Sequence, residues 1–170
     1  YREDYKKLKK YFDCQNPKHA ISEFFYFIAN LYSSENDYIL SNFYLKLSFY
    51  MNNDFYFNKD LLAENYYYLK KYDDAKKIYF FLKKEGEIYS WHSSRRIAHI
   101  KSITENNEKA ISFLEREYKK IKNKNFSIFY EFANFYKDMQ LYEKSIEYYT
   151  LALENLPEDH SLKPQLLYRR

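Results

Sequence analysis

The side chains best suited to chemistry in this 170-residue chain lie in one short stretch, where His92 and His99 flank Arg95 and Arg96. On a helix seven residues span two turns, about 10.5 Å, too far for one metal ion to sit on both rings. The i, i+4 histidine spacing of a zinc-binding helix is absent, and Cys14 has no second cysteine with which to bridge or share a metal. Neither a nucleophile elbow nor a paired-acid motif is present. One glycine in the whole chain excludes the Gly-rich loops that bring backbone close to a phosphate. No catalytic residue, cofactor or metal is expected, and an enzymatic role is not expected from this chain. What remains is a chemistry of charge, amide groups and aromatic rings.

Those groups need elements to position them, and the composition restricts which elements are available. Tight β-hairpins lean on glycine for positive φ, so one glycine also argues against an all-β sandwich or barrel. With 22 Tyr, 15 Phe and 46% apolar residues the chain can build the core of about one domain. Lys and Arg (28) exceed Asp and Glu (24) by only 4, too little to demand nucleic acid or an anionic membrane. The longest apolar run, Phe24 to Ala29, is far short of the roughly 20 residues a membrane-spanning helix needs, so no span is expected. The chain opens Tyr1-Arg2-Glu3 and stops at Tyr168-Arg169-Arg170 inside an amphipathic segment, and it reads as an excerpt whose compartment the sequence does not reveal.

An internal repeat organises the whole. Matching blocks begin at Ser22, Tyr56, Trp91 and Phe126, 34, 35 and 35 residues apart. The eighth position of each block is Ala29, Ala63, Ala98 and Ala133, and the twentieth is Ser41, Ala75, Ala110 and Ser145. The seventh (Ile28, Leu62, Ile97, Phe132) and twenty-fourth (Leu45, Tyr79, Leu114, Tyr149) are large. Paired helices at about 8–10 Å need small residues where their axes pass closest and large ones in the grooves beside. Positions four, seven, eight and eleven share one helical face. The pattern predicts first helices near 20–33, 56–69, 90–103 and 125–138, and second helices near 37–51, 72–84, 106–121 and 142–155. Asp37 and Asn106 are the expected N-caps of two second helices. Tyr1 to Asp13 is expected to be the second helix of a preceding partial repeat, and the chain from about Lys163 to start a following one.

These blocks resemble tetratricopeptide repeats, a 34-residue helix–turn–helix with small residues at positions 8 and 20, aromatics at 11, 17 and 24, and proline at 32. The block from Phe126 carries Phe129, Phe132, Ala133, Tyr136, Tyr142, Tyr149, Ala152 and Pro157 in that pattern. The block from Trp91 departs most, with Ser94, Lys101 and Asn107 at positions that are usually large. The resemblance implies an all-α fold, a right-handed α-solenoid of antiparallel helix pairs over 1–170, with repeats 22–55, 56–89, 91–125 and 126–159 and partial repeats 1–21 and 160–170.

The resemblance also implies a use. Positions on the first helices line a concave groove in that family, which here selects Tyr26 and Asn30, then Asp60, Glu64 and Tyr67, then His92, Arg95 and His99, and finally Tyr130, Asn134 and Lys137. Rigid aromatics among amide and charged donors suit peptide recognition. Asn30 and Asn134 are expected to bond a peptide backbone with both amide groups, and Tyr26, Arg95 and Tyr130 to matter to binding while covering no core. The carboxylate clamp of the chaperone-binding subfamily is matched by Asn30 and Arg96, but Tyr26, Leu61 and His92 replace its other residues. The expected function is a protein-interaction scaffold for a peptide or helix, with self-association through the truncated ends. An RNA-associated helical repeat is disfavoured because acidic residues interleave with the basic ones. The docking module of a larger enzyme or envelope assembly is the other alternative.

Overall fold

The computed structural model describes residues 12–157, 160–161 and 163–169, so nearly all of the helix expected over Tyr1 to Asp13 lies outside the described residues. Among the described residues all regular structure is helical: α1 Pro17–Ser34, α2 Tyr38–Met51, α3 Tyr56–Tyr68, α4 Tyr72–Leu82, α5 Glu87–Thr104, α6 Asn107–Lys120, α7 Phe126–Asp138, α8 Tyr142–Glu154 and α9 Lys163–Arg169. Every end from α1 to α8 falls within three residues of the position expected from the repeat.

Local chemistry explains the boundaries. Asn16, Asp37, Asn106 and Asn125 each accept a bond from a first-turn N–H (Lys18, Leu40, Lys109 and Ile128) at 2.9 to 3.1 Å. These are side-chain N-caps, and Asp37 and Asn106 are the two anticipated. Three of the first helices, α1, α3 and α7, stop by one device. Asn36, Lys70 and Gln140, each the fifteenth residue of its block, take φ of 63°, 59° and 62°. The N–H that follows each one reaches back to the carbonyl of Tyr32, Tyr66 or Tyr136 at 2.9, 2.8 and 2.9 Å. This six-to-one bond past a left-handed residue is a Schellman stop. Three residues then suffice to turn the chain back along the helix just completed.

The chain divides into two compact units, Tyr1–Ile100 and Lys101–Arg170, with the boundary inside α5. In the first, α1 packs on α2, α2 on α3 and α3 on α4. Ala29, Ala63, Ala75, Ala98 and Ser41 are wholly buried, as the small-residue columns require, and Leu45, Tyr79 and Ile97 fill the space beside them. Ser22 and Ser48 close the α1–α2 pair by donating to each other's carbonyl oxygens, at 2.9 and 2.5 Å.

In the second unit α7 packs on α8 and α8 on α9. Ser145 Oγ donates to the Ala133 carbonyl at 3.0 Å, so the eighth and twentieth positions of that block touch directly. Ala152 is as completely buried as Ala133 and packs in the same cluster with Tyr149 and Leu166. An enlarged side chain is therefore no better tolerated at 152 than in the eighth column.

Candidate interaction site

In the first unit three side-chain bonds of equal sequence separation link successive first helices. Ser33 Oγ donates to Asn65 Oδ1 at 2.7 Å between α1 and α3. His92 Nε2 lies 2.9 Å from Asp60 Oδ1, and Arg96 Nη2 2.6 Å from Glu64 Oε1, both between α3 and α5. Each pair is 32 residues apart. Because the blocks repeat every 34 or 35 residues, a first-helix residue meets the residue two or three positions earlier in the next block. The acids of α3 are thus held by α5 one turn apart, in an ordered ladder. Asn65 completes it from below by donating to Ser41 Oγ at 2.7 Å and Asn42 Oδ1 at 2.8 Å.

The ladder is half-buried: the Asp60, His92, Glu64 and Arg96 side chains keep between 29 and 35% of their exposure. Burial works against the Arg96 charge, but Tyr79, Glu64 and Asp60 around it raise its pKa above the usual arginine value. Burial, with Asp60, Glu64 and Tyr89, pushes the Tyr26 phenol up as well. Tyr67 moves the same way through burial and Tyr72, against the pull of Arg96. The ladder presents acids and bases already paired with one another, and the remaining lone pairs of the two carboxylates are open to an incoming donor.

The expected groove residues distribute unevenly over this geometry. Asp60, Glu64 and His92 are in the ladder, and Tyr26 and Tyr67 stand beside it. Tyr26 covers part of the core: its ring meets Phe55 edge-on at 5.4 Å and packs on the Ala29–Leu45–Leu61 cluster. The expectation that truncation there leaves stability untouched is corrected by that contact. Asn30 is exposed, with Nδ2 3.5 Å from the Tyr26 hydroxyl. The ion pair to Glu64 is made by Arg96, whereas Arg95 is half-buried with its Nε atom enclosed. His99 is half-buried two turns along α5 from His92.

Tyr130, Asn134 and Lys137 belong to the second unit and meet a different environment. The Asn134 side-chain oxygen accepts from the Tyr149 hydroxyl at 2.6 Å and from Arg169 Nη1 at 3.0 Å. The Arg169 guanidinium also stands over the Tyr130 ring, 5.6 Å from its centroid. Two bonds use the acceptor capacity of an amide oxygen, so Asn134 cannot accept from a peptide N–H in the way expected of it. Tyr130 packs on the Ala133–Tyr149–Ala152 cluster and, like Tyr26, covers core. Lys137 is exposed.

Arg96, Asn65 and Arg169 were absent from the groove expected from sequence. Arg96 had a signal, since it lies four residues after His92 and therefore on its helix face. Among the described residues no cluster of three or more His, Cys, Asp or Glu could hold a metal ion, and no helix is long and apolar enough to cross a membrane. No protein-family model matches the chain, and no curated protein matches it.

Proposed function

We propose that the chain is a tetratricopeptide-like scaffold, a right-handed solenoid of helix pairs that binds a peptide or helix of a protein partner without catalysis. The binding surface is the first-helix face of the unit ending at Ile100, and the observation that carries this reading is the Asp60–His92 and Glu64–Arg96 ladder flanked by Tyr26 and Tyr67. Its charged groups are already held by one another, so a partner docks without a large cost of ordering them. Half-buried tyrosines supply rigid contact area of the kind that dominates binding energy. The Asp60 and Glu64 carboxylates offer acceptors to a partner segment bearing basic or neutral polar donors. The same carboxylates oppose a phosphate backbone, which weighs against RNA.

Fluorescence anisotropy with matched basic, neutral and acidic peptide pools, and with a single-stranded RNA homopolymer, tests this. Basic peptides should bind, and the Asp60→Asn, Glu64→Gln pair should weaken them about tenfold with helical circular dichroism unchanged. Exclusive binding of acidic peptides, or of RNA, would overturn the reading.

A further inference from the structure

We propose that the outward face of α1 is a homodimer interface, on which α1 of a second copy of this chain lies antiparallel. Along that helix Pro17, Ala20, Phe24, Phe27, Leu31 and Ser34 recur at alternating steps of three and four residues, the spacing of a coiled-coil seam. The seam lies opposite Ser22 and Ala29, which are wholly buried. On one flank Phe25 and Tyr32 meet Tyr44 of α2, at 6.3 and 5.5 Å between ring centroids. On the other, Tyr26 meets Phe57 of α3 at 6.4 Å and Ser33 bonds Asn65. The seam faces neither neighbour, and Phe24, Phe27 and Leu31 are 62, 66 and 62% exposed. Ring contacts from Phe24 through Phe25 and Tyr44 to Phe43 continue the apolar surface onto α2, where Phe43 and Ile39 are exposed as well.

The occupant follows from the residues of the face. From Ala20 to Ser34 one side chain is charged, Glu23, so a phosphate or an acidic segment finds no cation there. An apolar helix with the same spacing finds a complete seam, and this helix matches itself. Laid antiparallel about a two-fold axis between Phe24 and Phe27, it sets Phe24 on Phe27 of the second copy, Ala20 on Leu31, and Pro17 on Ser34. The rings meet at the axis, and small residues face larger ones towards the ends, as close helix approach requires. The same register brings Ile21 to Ile28 and the Asn30 amide to the Glu23 carboxylate, so each copy's lone charge meets a donor. Phe24, Phe27, Leu31, Ile39 and Phe43 expose roughly 500 Å² per copy, the size of functional patches on monomers. The remaining surface of an 18-residue helix brings this towards the roughly 800 Å² per partner of a stable interface.

Sedimentation velocity across the micromolar range should show a dimer. Phe27→Glu should weaken it by about tenfold or more with helical circular dichroism unchanged, because that ring covers little of its own chain. If helicity falls, Leu31→Glu replaces it. Asn30→Asp should also weaken the dimer by setting like charges together, and adding Glu23→Lys should restore it. Positions 23 and 30 are two turns apart on one helix, about 10.5 Å, so contact between copies is what couples them. A monomer throughout, as when a segment of the same chain covers the seam, would overturn the proposal. A dimer indifferent to Phe27→Glu, or one that the charge exchange fails to restore, would overturn it too.

Discussion

In the unit ending at Ile100 the interior contains Ser22, Ser41, Ser48, Asn58, Asn65, Ser93 and Ser94, none more than 1% exposed. In the unit beginning at Lys101 the corresponding volume is filled by Phe132, Phe135, Tyr136 and Tyr149, none more than 2% exposed. Aromatic burial stabilises roughly in proportion to area, whatever the direction of the contact. Buried amides and hydroxyls stabilise only where they find partners, and then they also dictate which residues may face one another. In the first unit Asn65 and Ser41 fix how α1, α2 and α3 face one another, while in the second the buried rings contribute mainly stability.

The sharpest way to expose that difference is to remove the centre of the aromatic core. Phe132 is fully buried, with Tyr118, Tyr136 and Tyr148 ring centroids at 4.5, 4.6 and 4.7 Å. Phe132→Ala should cost about 3–5 kcal/mol. Urea denaturation followed by circular dichroism measures it, and a loss under about 1 kcal/mol would show that the rings do not carry the second unit.

The polar core should respond next most strongly where its bonds are complete. Asn65 is bonded to Ser33, Ser41 and Asn42 at once, and Asn65→Ala strands the buried Ser41 and the half-buried Ser33 and Asn42. A loss of about 1–3 kcal/mol is expected, read by the fluorescence of Trp91, the single tryptophan, which lies in the same unit. Asn65→Asp should not rescue it, because a carboxylate cannot donate to Ser41 and Asn42.

Much of this was legible beforehand, and the reason is the repeat itself. Alanine in column eight and small residues in column twenty can mean only close helix approach, and all eight are buried to at least 97%. The site was less legible because it depends on an offset. Sequence period places Glu64 level with His99, but contact pairs it with Arg96, three positions earlier, since neighbouring helices are displaced along their axes. Nothing in the period reveals that displacement. Arg169 was hidden for another reason: its role at Tyr130 and Asn134 depends on α9 packing against α8, which a partial repeat is too short to specify.

A smaller effect, in pH, tests whether the second unit's few polar contacts matter beside its rings. Burial works against the Glu115 charge, but the Lys144 ammonium at 2.9 Å and the Tyr136 hydroxyl at 2.8 Å outweigh it and hold the carboxyl below its usual range. A depressed folded-state value contributes stability above the unfolded carboxylate pKa, about 4.3, and that contribution fades as pH falls through the folded value. Urea midpoints of the parent chain should therefore drop more between pH 6 and pH 3 than those of Glu115→Gln. Parallel pH profiles for the two would mean that the carboxylate is idle.

The smallest expected change is the most discriminating for the first unit. Asn58 and Asn65 lie on the same helix seven residues apart, hence on one face, and both are fully buried. Asn65 has every amide atom engaged, whereas neither side-chain atom of Asn58 has a hydrogen-bond partner among the described residues. An unpaired buried amide costs about 1–3 kcal/mol, a penalty that truncation abolishes. Truncation also leaves a small void, which costs a comparable amount. The two effects oppose each other, so Asn58→Ala should change stability by less than about 1 kcal/mol in either direction. Identical substitutions on one face of one helix would then differ by about 1 kcal/mol or more solely through hydrogen bonding. Equal losses at both positions would mean that Asn58 is bonded in solution, and that the polar interior of this unit is complete along the whole of α3.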